Sequence, residues 1–132
     1  MHHQPYATTL IVDDHPRNRA LLRALCDAMG LESDEACDGL DAIDKLASGR
    51  IGLMFLDINM PRLDGFGVLE WLRTAPQGLR RPHVVMVTTD DRSETRARCF
   101  ALGCDGFLTK PFRIEEVRNA AEFGFGERSM RA

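Results

Sequence analysis

The chain has 132 residues, enough for one domain that buries a core without disulfide or metal staples. Its net charge of -3, with 44% hydrophobic and 28% charged residues, is ordinary for a globular protein and excludes a global basic field that would collect nucleic acid or acidic lipid. No stretch approaches the ~20 apolar residues of a membrane span, and residues 1–6 lack an apolar signal core.

After a tail over 1–8, Thr9 leads into Leu10-Ile11-Val12, an apolar run ending in Asp13 and Asp14, which predicts a buried strand. Pro16 suits a first helical turn, and Leu21, Leu22, Leu25 and Met29 recur at helical spacing until Gly30. A weaker strand is expected around 35–37, followed by a short helix through Leu40, Ile43 and Leu46 that closes at Gly49. Residues 53–56 form the most apolar strand and end in Asp57. Val68, Leu69 and Leu72 predict a helix over 65–73, and 76–82 reads as a loop. A fourth strand over 83–87 ends in Thr88 and Thr89, and a helix over 93–102 stops at Gly103. Phe107-Leu108 is a short fifth strand running into Thr109-Lys110-Pro111, then a last helix covers 114–123 and a tail 124–132. Five strands, each followed by a helix, predict an α/β fold: one domain over 9–123, its parallel sheet covered on both faces.

In an open parallel sheet, ligands bind outside the carboxyl ends of the strands. The predicted strand ends carry Asp13, Asp14, Asp57, Thr88 and Lys110, which would all emerge on one rim. Helix N-capping explains one or two such positions, but three carboxylates on one rim repel unless a positive group sits among them. Mg²⁺ is one candidate, with Mn²⁺ as a substitute, and Lys110 is the other. Lysine occurs only at 45 and 110 among 17 basic residues, so an ammonium at 110 is informative. Asp57 is then a reasonable nucleophile for phosphoryl transfer, with Lys110 and a metal neutralising phosphoryl oxygens and Thr88 donating a hydrogen bond.

The four cysteines, Cys26, Cys37, Cys99 and Cys104, form no C-x-x-C pair; reduced, mostly buried thiols in a cytoplasmic protein are expected. His2 and His3 read as a solvated tail, His15 as a loop residue at a helix start, and Trp71 as partly buried packing.

The runs Leu10-Ile11-Val12-Asp13-Asp14, Phe55-Leu56-Asp57-Ile58-Asn59-Met60-Pro61-Arg62-Leu63-Asp64-Gly65, Val87-Thr88 and Lys110-Pro111-Phe112 together resemble the receiver domain of bacterial response regulators. The resemblance implies a flavodoxin-like strand order 2-1-3-4-5. It implies phosphorylation of Asp57 by a histidine kinase or a histidine phosphotransfer protein, in two-component signalling. Mg²⁺ would be held by Asp14, Asp57 and the main-chain carbonyl of Asn59, with Asp13 acting through water. It further implies a cis Lys110–Pro111 bond, a switch pairing Thr88 with Phe107, and tuning of dephosphorylation by Asn59 and Asp90. The readout face would include Arg92, Glu94, Arg96, Arg98, Phe107 and Thr109.

With no output module after 123, the expectation is a stand-alone response regulator that switches contacts with a downstream effector protein and dimerises on phosphorylation in some cases. It would be no enzyme beyond its own phosphoryl transfer and autodephosphorylation, and would contact neither nucleic acid nor membrane. Alternatives are a phosphate sink or relay intermediate, and a receiver excised from a hybrid histidine kinase. A haloacid-dehalogenase-like phosphatase usually carries a second Asp two residues after its nucleophile; Asn59 stands there in this chain.

Overall fold

The strands read as continuous apolar runs because both faces of the sheet are covered, and their side chains alternate between two cores. In the computed structural model, which describes residues 8–122, β1 (Thr8–Val12), β2 (Ser33–Ala36), β3 (Ile51–Asp57), β4 (His83–Thr88) and β5 (Gly106–Thr109) form one parallel sheet. Its order is β2-β1-β3-β4-β5, as expected. Five helices intervene: α1 (Pro16–Ala28), α2 (Gly39–Leu46), α3 (Gly65–Arg73), α4 (Ser93–Ala101) and α5 (Ile114–Glu122).

One core sets Ile11, Leu53, Phe55, Val85 and Val87 against Leu22 and Cys26 of α1 and Val117 and Ala121 of α5. The other sets Leu10, Val12, Met54, Leu56, Val84 and Met86 against α2, α3 and α4 through Leu46, Val68, Leu69, Leu72 and Cys99. Neighbouring residues of a strand thus serve opposite faces. Phe55 is fully buried at the centre, where truncation to alanine costs about 3–5 kcal/mol.

The second strand differs from its sequence expectation of 35–37. It covers Ser33–Ala36 and leaves exposed Cys37 in the turn to α2. As an edge strand it takes polar residues, and ion pairs replace the apolar run. Glu35 meets Arg19 at 2.9 Å and Arg23 at 2.5 Å, while Asp34 lies 3.4 Å from Lys45. Asp38 then caps α2 through the Asp41 amide, as Asp64 caps α3 through that of Gly67. Cys26, Cys99 and Cys104 are buried free thiols, whereas Cys37 is exposed. Burial pushes Cys26 up to about 11 and Cys104 up to about 12, and raises Cys99. Among the described residues, no helix is long and apolar enough to cross a membrane. His2, His3 and the tail expected over 124–132 lie outside the described residues, as does Phe123 at the end of the predicted last helix.

Candidate functional site

Strand register assembles the rim. Val12 pairs with Leu56, so Asp13 follows beside Asp57. Asp57 pairs with Val87, which brings Thr88 out one residue beyond Asp57 on the neighbouring strand. Thr88 pairs with Thr109, and the Lys110 amide donates to the Thr88 carbonyl at 2.7 Å. Four strand ends therefore deliver four functional groups to one place.

The charged centre is compact. Lys110 Nζ lies 3.2 Å from Asp13 Oδ2 and 3.8 Å from Asp57 Oδ2, joining residues 97 positions apart in the chain. Asp13 is 1% exposed, and its Oδ1 accepts from the His15 amide at 2.9 Å and from Asn18 Nδ2 at 3.4 Å. Asp57 is 8% exposed, and its Oδ1 accepts from the Ile58 amide at 2.8 Å. Burial pushes the Asp57 carboxyl up to about 6; the Lys110 ammonium opposes that, while Asp13 and Asp14 add to it.

One ligand oxygen from each of Asp13, Asp14 and Asp57 lies within 4.8 Å of the others. Three converging carboxylate oxygens, two of them on buried side chains, suit a hard divalent cation such as Mg²⁺. One ammonium faces three carboxylates there, which leaves room for a further positive charge.

Two tight loops frame this centre. The Gly65 amide donates to the Ile58 carbonyl at 2.7 Å, closing the β3–α3 loop, and a Cβ at Gly65 would stand 2.5 Å from the Asp57 carbonyl oxygen. Exposed Asn59 lies in that loop. The Lys110–Pro111 bond is cis. Beside it, a groove of about 370 Å³ is lined by Asn18, Leu21, Leu22, Thr89, Lys110, Pro111 and Phe112.

On the other side, buried Thr88 accepts the Asp90 amide on its hydroxyl oxygen at 3.2 Å, leaving its own proton free to donate. The Asp90 carboxylate is engaged with Arg92, at 3.0 Å to Nε and 2.8 Å to Nη2, and with Thr95 Oγ1 at 2.7 Å. These bonds hold Asp90 well below the usual carboxylate range, the Arg92 side chain contributing most. Phe107 is half-buried, and the Arg96 guanidinium sits 4.6 Å from its ring centroid. His15 is exposed at the start of α1, and Trp71 is half-buried on α3.

Sequence reasoning missed three participants. Asp38 was legible as a helix cap, since Asp-Gly-Leu-Asp opens an amphipathic helix. Its partner Arg62 carried no signal, because an ion pair across 24 positions follows no period. The bond from Thr95 to Asp90 was likewise hidden.

Comparison with known proteins agrees with this construction. A model of the response regulator receiver domain matches residues 9–122. Sensor histidine kinase RcsC of Escherichia coli is 37% identical over 109 residues, covering 83% of this chain and 11% of that protein. Sensor protein EvgS of Escherichia coli is 32% identical, again over 83% of this chain but 9% of its own length. The chain thus spans about a tenth of the length of the curated relatives it matches. Among solved structures, chemotaxis response regulator CheY4 of Vibrio cholerae superposes with a TM-score of 0.81 at 28% identity, covering 90% of this chain and 98% of that one. Fold, register and the matched span agree, and the chain belongs to the response regulator receiver domain family of two-component signalling.

Proposed function

We propose that this chain accepts a phosphoryl group on Asp57 from a phosphohistidine of a histidine kinase or histidine phosphotransfer protein, and passes the signal on as a change in protein contacts. The observation that carries the reading is the Lys110 ammonium bridging Asp13 and Asp57 at the carboxyl ends of the strands. An Asp57 oxygen attacks phosphorus; an O–P bond forms as the N–P bond to the imidazole breaks, and the departing ring nitrogen keeps the electron pair and takes up a proton. Lys110 meets the charge on the phosphoryl oxygens, and the free Thr88 proton donates to one of them. Asp14 and Asp57 side chains, the Asn59 carbonyl and, through water, Asp13 would hold Mg²⁺. Bound there, the ion would neutralise carboxylate and phosphoryl oxygens together.

Burial of Asp57 keeps bulk water off the acceptor, and the groove between α1 and Pro111 supports docking of an apolar helical surface next to it. On the readout side, Thr88 and Phe107 would act as the switch, and Arg92, Glu94, Arg96, Arg98 and Thr109 would meet the effector. Asn59 and Asp90 would set the phosphoryl lifetime, with no reaction on outside substrates.

The test is intact-mass spectrometry after incubation with Mg²⁺ and acetyl phosphate or phosphoramidate. A metal-dependent gain of one phosphoryl group, absent in Asp57→Asn, is the expected result; no gain from either donor overturns the reading.

A stand-alone regulator in the cytoplasm, its receiver domain spanning 9–123, is the form we favour. It is supported by the match to nearly the full length of CheY4. A relay or sink role, as a receiver borne by a hybrid kinase, is favoured instead by the likeness to sensor kinases. Incubating the phosphorylated chain with histidine phosphotransfer proteins separates them: rapid loss of the phosphoryl group to the histidine supports the relay.

A further inference from the structure

The β3–α3 loop holds a backbone conformation that its sequence does not favour. Arg62 has φ +70°, the sole non-glycine residue with positive φ among those described, and the Leu63 amide donates to the Pro61 carbonyl at 2.7 Å. Together these make a γ-turn with a left-handed centre, a rare and strained form for a residue with a Cβ. Such strain persists where the surroundings over-determine it.

Here the restraint is visible. Arg62 Nε donates to Asp38 Oδ2 at 2.8 Å and Nη2 donates to the same oxygen, while Asp38 itself is 3% exposed. The other Asp38 oxygen accepts the Asp41 amide at 2.9 Å, fixing the carboxylate at the start of α2. Next to it the Gly39 amide donates to the Leu63 carbonyl at 3.1 Å, and a Cβ at Gly39 would stand 2.3 Å from that oxygen. Two loops, 24 positions apart at the ion pair, are therefore fastened together with no space between them.

We propose that Arg62 is a positioning residue for the metal end of the site: its pair with Asp38 locks the β3–α3 loop, and with it the Asn59 carbonyl, in the form that receives the cation. The inference rests on the receiver reading, in which that loop supplies Asn59 as a ligand. An arginine at the turn gives up the ease a glycine would have there and gains an anchor onto the scaffold. The lock acts on the stretch that starts at Asp57 and closes at Gly65.

Charge and position predict opposite signs for one variant, which makes the idea testable. Arg62→Ala removes a cation and leaves Asp38 unpaired, so electrostatics alone would tighten binding of a dication. Loss of positioning weakens it.

The experiment titrates the full chain with Mn²⁺ and counts free ion by electron paramagnetic resonance, with thermal melting alongside. Arg62→Ala is expected to raise the dissociation constant roughly fivefold or more, since lost outer partners of metal ligands typically cost about 10- to 100-fold. Arg62→Gly, which takes positive φ freely, should fall between it and the wild type, and Arg62→Lys should recover part of the loss. An Arg62→Ala chain that binds Mn²⁺ as tightly as wild type, or more tightly, overturns the proposal even if it melts earlier. If Arg62→Ala fails to fold, the glycine variant decides by the same criterion. A wild-type chain that binds no Mn²⁺, or an Asp57→Asn variant that binds it equally well, overturns the site reading and the proposal with it.

Discussion

The β3–α3 and β4–α4 loops leave the same rim, and each carries an arginine–aspartate pair, but the pairs are anchored differently. Arg62 reaches Asp38 on another loop, and that carboxylate is buried. Arg92 reaches back only two positions to Asp90, and its own side chain is 73% exposed. The first pair ties a loop to the scaffold. The second closes a loop on itself, so the Thr88 segment can shift without breaking any tie of this pair to a distant element. On the proposed reading, the tied loop would carry the metal-side groups and the self-closed loop the switch-side ones, a division suited to holding a cation steadily while changing a surface.

The largest test of that division is Thr88→Ala. Removing a hydrogen-bond donor to developing charge slows reaction by roughly 100-fold. Phosphoryl gain measured by mass should fall by about that factor, with Mn²⁺ affinity within about twofold of wild type; a matching loss of metal affinity would break the comparison.

Gly39→Ala comes next. The added Cβ meets the Leu63 carbonyl at 2.3 Å, so backbone must move, and overpacking of this kind costs about 1–3 kcal/mol. The urea midpoint should drop, and metal affinity should weaken with it, because the same contact docks the β3–α3 loop.

A smaller, graded effect comes from protons. Asp57 has its carboxyl raised from 3.8 to about 6, chiefly by burial. In the metal-free chain this stabilises the fold fully below the unfolded value near 3.8, and the contribution is lost as pH rises through about 6. Metal binding runs the other way, since the cation needs the ionised oxygen: the Mg²⁺ dissociation constant should climb as pH falls below about 6, approaching tenfold per unit. Calorimetric titration at pH 7.5 and pH 5 reads the difference, and an affinity independent of pH would mean Asp57 is no ligand.

Arg92→Ala should do least. An exposed local ion pair contributes little, so melting temperature and Mn²⁺ affinity should both stay within error of wild type. A loss of metal affinity as large as that of Arg62→Ala would erase the distinction between the loops.

Much of this was legible in the sequence because burial on two faces writes itself as apolar runs. Residues 53–56 and 83–87 announced β3 and β4, and the apolar spacing of Val68, Leu69 and Leu72 announced α3 over Gly65–Arg73. Strand ends then pointed to Asp13, Asp57, Thr88 and Lys110, and the register brings those four to one rim. The edge strand β2 was misplaced because its residues, Ser-Asp-Glu-Ala, are stabilised by ion pairs rather than burial. The Arg92 and Thr95 partners of the Asp90 carboxylate were not legible, a choice among polar partners that no spacing rule encodes. The Arg62–Asp38 fastening escaped for the same reason, since only the folded backbone brings those loops into touch.

The cysteines give each face of the sheet its own chemical clock. Cys26 lies in the layer under α1 and α5, whereas Cys99 and Cys104 lie in the layer under α2, α3 and α4. Burial both hides these thiols and suppresses their thiolates, so an alkylating reagent must wait for local opening. Exposed Cys37 reacts without waiting and serves as the internal reference. Pulsed alkylation, read peptide by peptide, would therefore time the lifting of one helical layer separately from the other, with no engineered label.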